Sequence, residues 1–207
     1  MSNFHERRTD GYHFWSFNNT LEANSGLDPK LCDSIVASAE NNFDEALLMP
    51  NNKLKSGFLK ERVRKGNTYF DSQPWVYDLI WPYLHLANEN AEWNFEISAA
   101  ENYQISKYTP GDFYTAHLDS LGTHTTKFNS PDKEVFHDKT RKISLSVNLN
   151  DPSEYEGGEL KIFGVPKTNQ EIGTLNFFPS YLPHEVTPVT KGVRYSLVMW
   201  FLGYPFQ

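Results

Sequence analysis

Residues 101–119 read ENYQISKYTPGDFYTAHLD, and this stretch decides the fold. It predicts one short strand near Glu101–Tyr108 and a second near Phe113–Leu118. Pro110-Gly111 lies between the two and is a turn signal. The chain therefore changes near residue 100 from helical patterns to short strands joined by turns.

The same strand pattern continues towards the C-terminus. Turn residues recur at Asn150-Asp151-Pro152, Gly157-Gly158, Pro179-Ser180 and Lys191-Gly192. Between them we expect further strands near Arg141–Leu149, Glu159–Phe163, Thr174–Phe178, His184–Pro188 and Val193–Leu202. Seven or eight short strands in about 100 residues predict an antiparallel sandwich or a jelly-roll barrel.

The first 100 residues carry mainly helical signals. Asp28-Pro29 is typical of an N-cap followed by proline at the first helical position. A second helix is expected from about Ser72-Gln73-Pro74, with Pro82 kinking or restarting it. We expect its packing face to be Trp75, Leu79, Tyr83 and Leu86. The sequence thus predicts one domain over residues 1–207, with helical support in 1–100 and the β core in 101–207.

Candidate metal ligands lie on the second strand of the opening stretch. Side chains at i and i+2 of a strand share a face, so His117 and Asp119 should project together. His184 is a third candidate, far downstream. Two histidines and one carboxylate form the facial triad of non-haem Fe(II) oxygenases, which leaves three coordination positions open.

Arg194 distinguishes this set from a chance pair of ligands. It lies ten residues after His184, and Ser196 follows on the same face of the last long strand. A guanidinium is a rigid donor fork that suits a carboxylate. A dicarboxylate such as 2-oxoglutarate, held at the metal by its keto-acid end, could reach Arg194 with its far carboxylate.

Several stretches, taken together in order and spacing, resemble a known family. They are residues 108–119, Arg141–Asn150, Tyr155–Leu160, the His184 segment and Gly192–Leu197. About half the chain is thus similar to the 2-oxoglutarate/Fe(II)-dependent dioxygenase superfamily, in its prolyl-4-hydroxylase-like branch. The resemblance implies a double-stranded β-helix, the jelly roll of cupin-like barrels.

The resemblance also assigns roles to residues. It implies that His117, Asp119 and His184 bind Fe(II), and that Arg194 holds 2-oxoglutarate. Tyr108 matches a tyrosine lining the cosubstrate and substrate pocket, and Trp200 an aromatic residue near the site. Counting by twos from Arg194 independently places Ser196 and Trp200 inside the barrel. Some family members place a tyrosine near Asn148 to assist the carboxylate, and this chain departs from that pattern.

The function implied is hydroxylation of an unactivated carbon with 2-oxoglutarate and O2, releasing succinate and CO2. Ascorbate is a candidate reductant. The resemblance favours a prolyl residue in a peptide or protein as substrate. A free amino acid or other small metabolite is the alternative, and a non-catalytic cupin-like binding module is the alternative from a different class.

Residues 120–140 do not fit the strand spacing. Ser120–Thr140 is polar and carries His124 and His137, and it directly follows Asp119. A loop of this length inside a compact domain is often a lid or binding loop, so we expect a lid over the substrate. A surface insertion without function is the alternative.

The amino-acid composition limits the kinds of binding partner and the cellular location that we expect. The chain has a net charge of −7, which disfavours a nucleic-acid partner. No apolar run approaches the roughly 18 residues needed to span a membrane. A single cysteine, Cys32, and an N-terminus without an apolar signal region predict a cytoplasmic protein. The oligomeric state is left open.

Overall fold

The computed structural model of the chain describes residues 7–8, 11–19, 26–46, 63–120, 136 and 138–206. Its β-strands in chain order are Arg7–Arg8 (β1), Gly11–Tyr12 (β2), Trp15–Phe17 (β3), Asp44–Glu45 (β4), Arg64–Lys65 (β5), Asn67–Asp71 (β6), Ala99–Ala100 (β7), Tyr103–Tyr108 (β8), Phe113–His117 (β9), Thr140–Asn148 (β10), Tyr155–Gly157 (β11), Leu160–Ile162 (β12), Leu175–Pro179 (β13), His184–Val186 (β14), Val189–Gly192 (β15) and Arg194–Gly203 (β16). The helices are Pro29–Ala39 (α1) and Pro74–Asn90 (α2).

Two antiparallel sheets form the body of the molecule. The major sheet has eight strands in the order β3-β13-β10-β16-β8-β6-β4, with β7 paired to β16. The minor sheet has the order β12-β14-β9-β5. Residues of both sheets line a common pocket. This is the jelly-roll, double-stranded β-helix fold that the sequence predicted, and its strands lie within a few residues of the predicted positions.

The central strand pair β10–β16 separates the core from the site. On β10, Ile143 and Val147 pack into the main hydrophobic core. The alternate residues Ser144 and Asn148 point to the other side, where they bond to Asp119 and Arg194. One strand thus supplies apolar packing on one face and polar groups on the other.

Both helices begin where the sequence predicted. Asp28 caps α1 by accepting a hydrogen bond from the Lys30 backbone N–H at 2.8 Å. Helix α2 starts at Pro74 but runs on through Pro82, so the expected restart there is wrong. Pro82 does not end the helix, and the buried residues of α2 on both sides of it belong to the main hydrophobic core.

The expected packing face of α2 is also wrong. The buried residues are Val76, Ile80, Leu84 and Ala87. Trp75 and Leu86 are 40% and 48% exposed, although Leu79 and Tyr83 still pack at the edge of the core. The face is rotated by one residue because α2 is apolar on most sides, which blurs the helical period.

The first 100 residues also contribute strands that the sequence did not reveal. β3 and β6 extend the major sheet on its two sides, and β5 pairs with β9 in the minor sheet. The prediction of mainly helical support in this part is therefore incomplete. None of the described helices is long and apolar enough to cross a lipid bilayer.

Some predictions lie outside the described residues. Of Ser120–Thr140, only residues 120, 136 and 138–140 are described, so the lid stays a prediction. His124 and His137 fall in the same gap.

Candidate active site

The three predicted metal ligands come together at one end of the minor sheet. β9 ends at His117, β14 begins at His184, and the two residues face each other in the strand register. The ligand atoms of His117, Asp119 and His184 all lie within 4.8 Å of one another. His117 and Asp119 therefore lie together as expected, although Asp119 is just beyond the end of β9, and strand pairing brings the distant histidine to them.

Hydrogen bonds fix the orientation of both imidazoles. Nδ1 of His117 lies 2.8 Å from the Thr115 carbonyl oxygen, and Nδ1 of His184 lies 3.0 Å from that of Leu182. A carbonyl oxygen can only accept, so each Nδ1 carries the proton. Each Nε2 is left with a free lone pair, at 3.8 and 3.4 Å from oxygens of Asp119. Both rings thus present a metal-binding nitrogen to the same point.

The carboxylate of Asp119 is held from behind. Oγ of Ser144 donates to Oδ2 at 2.7 Å, and Ser144 also contacts the hydroxyl of Ser180 at 2.9 Å. The backbone N–H of Asp119 donates to the Ser180 carbonyl at 3.1 Å. Outer hydrogen bonds of this kind orient a ligating carboxylate.

The protonation states suit metal binding. Burial, together with the neighbouring imidazole of His184, lowers the pKa of His117 to about 4. Burial alone would raise the pKa of Asp119, but His184, Arg141 and His117 hold it below its usual value. At neutral pH the group is a neutral imidazole beside a carboxylate, which is the form that binds a divalent metal ion. Two nitrogens and one oxygen on one side of a point fit Fe(II) among the common metals.

Arg194 is a buried cation that has no anionic partner among the described residues. Its residue is 1% exposed, and no described carboxylate forms an ion pair with it. Nη1 donates to Oγ of Ser196 at 3.1 Å and Nη2 to Oδ1 of Asn148 at 3.2 Å, while Nε has no hydrogen-bond partner in the part of the chain that the structure describes. A buried guanidinium is expensive unless an opposite charge meets it. The site therefore fits a ligand that brings a carboxylate.

The other predicted residues surround the same cavity of about 360 Å³. Tyr108, Ser196 and Trp200 all line it, together with the three candidate ligands. The ring of Tyr108 lies 5.8 Å from Cζ of Arg194. Counting by twos along β16 thus placed its inward residues correctly.

An ion pair at the pocket was missed. Arg141 donates from Nε and Nη2 to the two oxygens of Glu101, both at 2.6 Å. Its guanidinium also lies 4.0 Å from the ring centre of Trp200. Arg141 stood at the start of a predicted strand and Glu101 at the start of another, but nothing in the sequence showed that these starts are neighbours.

A stacked group beside His117 was also missed. The ring centres of Tyr114 and His117 are 3.6 Å apart, with an angle of 15° between the ring planes. Cζ of Arg64 lies 4.6 Å from the centre of the Tyr114 ring. Strict alternation would turn Tyr114 away from His117, three residues later. The pairing of β9 with β14 has an irregularity between the His117 and Tyr114 pairs, and such a bulge redirects a side chain.

Comparison with known proteins agrees with this geometry. The model of the 2OG-Fe(II) oxygenase superfamily matches residues 103–202. A PKHD-type hydroxylase of Aliarcobacter butzleri is 39% identical over 99 residues, covering 46% of this chain and 41% of that protein. One of Picosynechococcus sp. is 29% identical over 153 residues, covering 72% and 64%. The chain thus matches less than half the length of the first of these relatives.

Solved structures share the fold. The viral collagen prolyl hydroxylase of Paramecium Bursaria Chlorella virus-1, in its 2OG complex, has a TM-score of 0.65 at 20% identity, covering 94% of this chain and 98% of the other. A prolyl-4-hydroxylase of Pseudomonas putida has a TM-score of 0.63 at 20% identity, covering 91% of each chain.

Fold and site together define a jelly-roll protein with a two-histidine, one-carboxylate centre. Residues 103–202 of this chain belong to the 2OG-Fe(II) oxygenase superfamily.

Proposed function

We propose that the protein is an Fe(II)- and 2-oxoglutarate-dependent dioxygenase that hydroxylates a prolyl residue in a peptide or protein. One observation carries the proposal. The His117–Asp119–His184 group lines a pocket together with Tyr108 and Ser196, and these two residues are neighbours of a buried arginine, Arg194, that has no anionic partner among the described residues. When bound, Fe(II) with 2-oxoglutarate and O2 supplies the oxidant for C–H hydroxylation and yields succinate and CO2.

The residues of the chain would divide the work as follows. Nε2 of His117 and of His184 and the Asp119 carboxylate would hold the metal. Arg194 would bind the far carboxylate of the cosubstrate through a charge-assisted hydrogen bond. Ser196 already accepts from Arg194, so its own proton is free to be donated to the same carboxylate.

The pocket walls support a substrate with carbonyl groups. The indole Nε1 of Trp200 is buried and has no hydrogen-bond partner among the described residues. A buried N–H needs an acceptor, and each peptide bond of a substrate offers one. Tyr114 and Trp200 contribute aromatic side chains to the lining of the same pocket. Several relatives carry the name PKHD-type hydroxylase, and one neighbour was solved as a prolyl hydroxylase with a peptide fragment.

The test uses purified protein with Fe(II), 2-oxoglutarate and O2. Proline-containing peptides should gain the mass of one oxygen atom, with succinate formed in equal amount. The same peptides with alanine in place of proline serve as controls and should be unchanged. Hydroxylation of free amino acids but of no peptide would overturn the choice of substrate. Absence of 2-oxoglutarate binding by the iron-loaded protein would overturn the enzyme itself and favour a binding module.

A further inference from the structure

The side-chain amide of Asn148 accepts a hydrogen bond from Nη2 of Arg194. Asn148 ends strand β10, is 3% exposed and faces Ser196 in the strand register. Its Oδ1 accepts from Nη2 of Arg194 at 3.2 Å, while Ser196 accepts from Nη1. The guanidinium is thus held by two neutral acceptors, one on each of two adjacent strands.

Bonds on the far side fix which way this amide points. Nδ2 of Asn148 donates to the hydroxyl of Tyr155 at 2.9 Å and also to the backbone carbonyl of Gln170. Turning the amide over would set its N–H groups against those of Arg194 and lose both bonds. The oxygen therefore faces the guanidinium, and Tyr155 helps to keep it there.

The neutrality of Asn148 has a consequence for charge. An aspartate in the same place would form a buried ion pair with Arg194 and cancel its charge inside the protein. The amide orients the guanidinium and leaves its positive charge for a ligand. No described acidic side chain forms an ion pair with Arg194, so this charge stays uncompensated.

Resting on the function proposed above, we infer that Asn148 is a neutral positioning residue that selects for a cosubstrate with a second carboxylate. It aims Arg194 through Oδ1 and is itself aimed by Tyr155. It does not contact the cosubstrate, because both ends of its amide are already bonded within the protein.

The test compares two ligands that differ only at the far end. Kd values are measured by calorimetry, without O2, for 2-oxoglutarate and for 2-oxopentanoate, which has the same chain length but no far carboxylate. Asn148→Asp should weaken 2-oxoglutarate by about tenfold or more, as expected for a lost bond to a charged group. Its affinity for 2-oxopentanoate should stay near that of the wild type, since the keto-acid end is untouched. A purely structural defect would weaken both ligands alike.

Two further variants make the result decisive. Asn169→Asp adds the same charge nearby, and its Oδ1 can still accept from the Glu171 backbone N–H, so both affinities should be unchanged. Tyr155→Phe removes the hydroxyl acceptor of Asn148 without adding charge, and should lower the preference for 2-oxoglutarate by roughly threefold. Equal preference in wild type, Asn148→Asp and Tyr155→Phe would overturn the role of Asn148.

Arg194→Ala separates this inference from the function on which it rests. If Arg194→Ala loses the preference for 2-oxoglutarate while Asn148→Asp keeps it, only the role of Asn148 fails. If Arg194→Ala itself binds 2-oxoglutarate like the wild type, the proposed cosubstrate site fails and Asn148 with it.

Discussion

The hydroxyl of Ser144 is hydrogen-bonded to the carboxylate of Asp119, the proposed metal ligand. It donates to Oδ2 at 2.7 Å and links Asp119 to Ser180. Ser144→Ala should leave the fold intact and reduce Fe(II) affinity by about tenfold or more, as for other partners of ligating groups. Metal binding is measured by equilibrium titration under anaerobic conditions.

The control for this variant is Ser34→Ala, which removes an exposed hydroxyl on α1. It should bind Fe(II) like the wild type. Unchanged affinity in Ser144→Ala would mean that the backbone alone holds Asp119 in place.

The sequence predicted which side chains on the regular strands project into the site. Arg194, Ser196 and Trp200 follow the two-residue period of β16, and His117 and Asp119 are also two residues apart, although Asp119 lies just beyond the end of β9. The contact of Tyr114 with His117 was not predicted, because a bulge in β9 breaks the two-residue period between them. The Glu101–Arg141 ion pair was not predicted either. It depends on which strand ends are neighbours in the fold, and the sequence does not show this.

The turn between β11 and β12 is the element that makes room for Arg194. Gly158 has φ +64°, and a Cβ there would lie 2.8 Å from Cδ of Arg194 and 2.9 Å from Cγ2 of Val189. Gly158→Ala should therefore displace Arg194 and weaken 2-oxoglutarate binding, besides a backbone cost of about 1–2 kcal/mol. Stability is read from denaturant unfolding and affinity from calorimetry.

Gly111→Ala is the matched control. Gly111 also has a positive φ, of +88°, but a Cβ there would meet only Nζ of Lys65 at 3.6 Å. It should lose similar stability and keep its affinity for 2-oxoglutarate. Equal affinities in the two variants would show that Arg194 does not need the space at Gly158.

Two leucines of helix α2 test which face of the helix is buried. Leu84 is fully buried against the major sheet, whereas Leu86 is 48% exposed. Leu84→Ala should lower the free energy of unfolding by about 2–5 kcal/mol, and Leu86→Ala by about 0.5 kcal/mol or less. Urea unfolding of both variants measures the difference. Similar losses of unfolding free energy in the two variants would contradict the buried face described above.

Helix starts and strand positions were predictable because local signals mark them. Asp28-Pro29 and the Pro110-Gly111 turn are such signals, and both lie where the structure has a helix start and a turn. The rotation of α2 about its axis was not, since its apolar residues surround most of the helix. The strands β5 and β6 were missed because short strands owe their conformation to the partners they pair with.

Over the whole molecule, two sheets bring distant parts of the chain to one cavity. The candidate ligands come from the end of β9, from Asp119 just beyond it and from the start of β14, and β16 adds Ser196 and Trp200 to the cavity lining. Arg194, also on β16, is hydrogen-bonded to Ser196. The helices stiffen the major sheet from the opposite side through the main core. A rigid support of this kind holds a site more accurately than loops would. The lid expected at Ser120–Thr140 stays a prediction for the mouth of this cavity.

The most direct measurement is succinate formation from 2-oxoglutarate by the iron-loaded protein in air. We expect iron-dependent succinate formation by the wild type and none by Asp119→Ala, which lacks one of the proposed metal ligands. Glu185→Ala removes the carboxylate next to His184, which alternation along β14 turns away from the site, and should keep the wild-type rate. If folded, iron-bound Asp119→Ala formed succinate at the wild-type rate, the proposed metal site would be wrong.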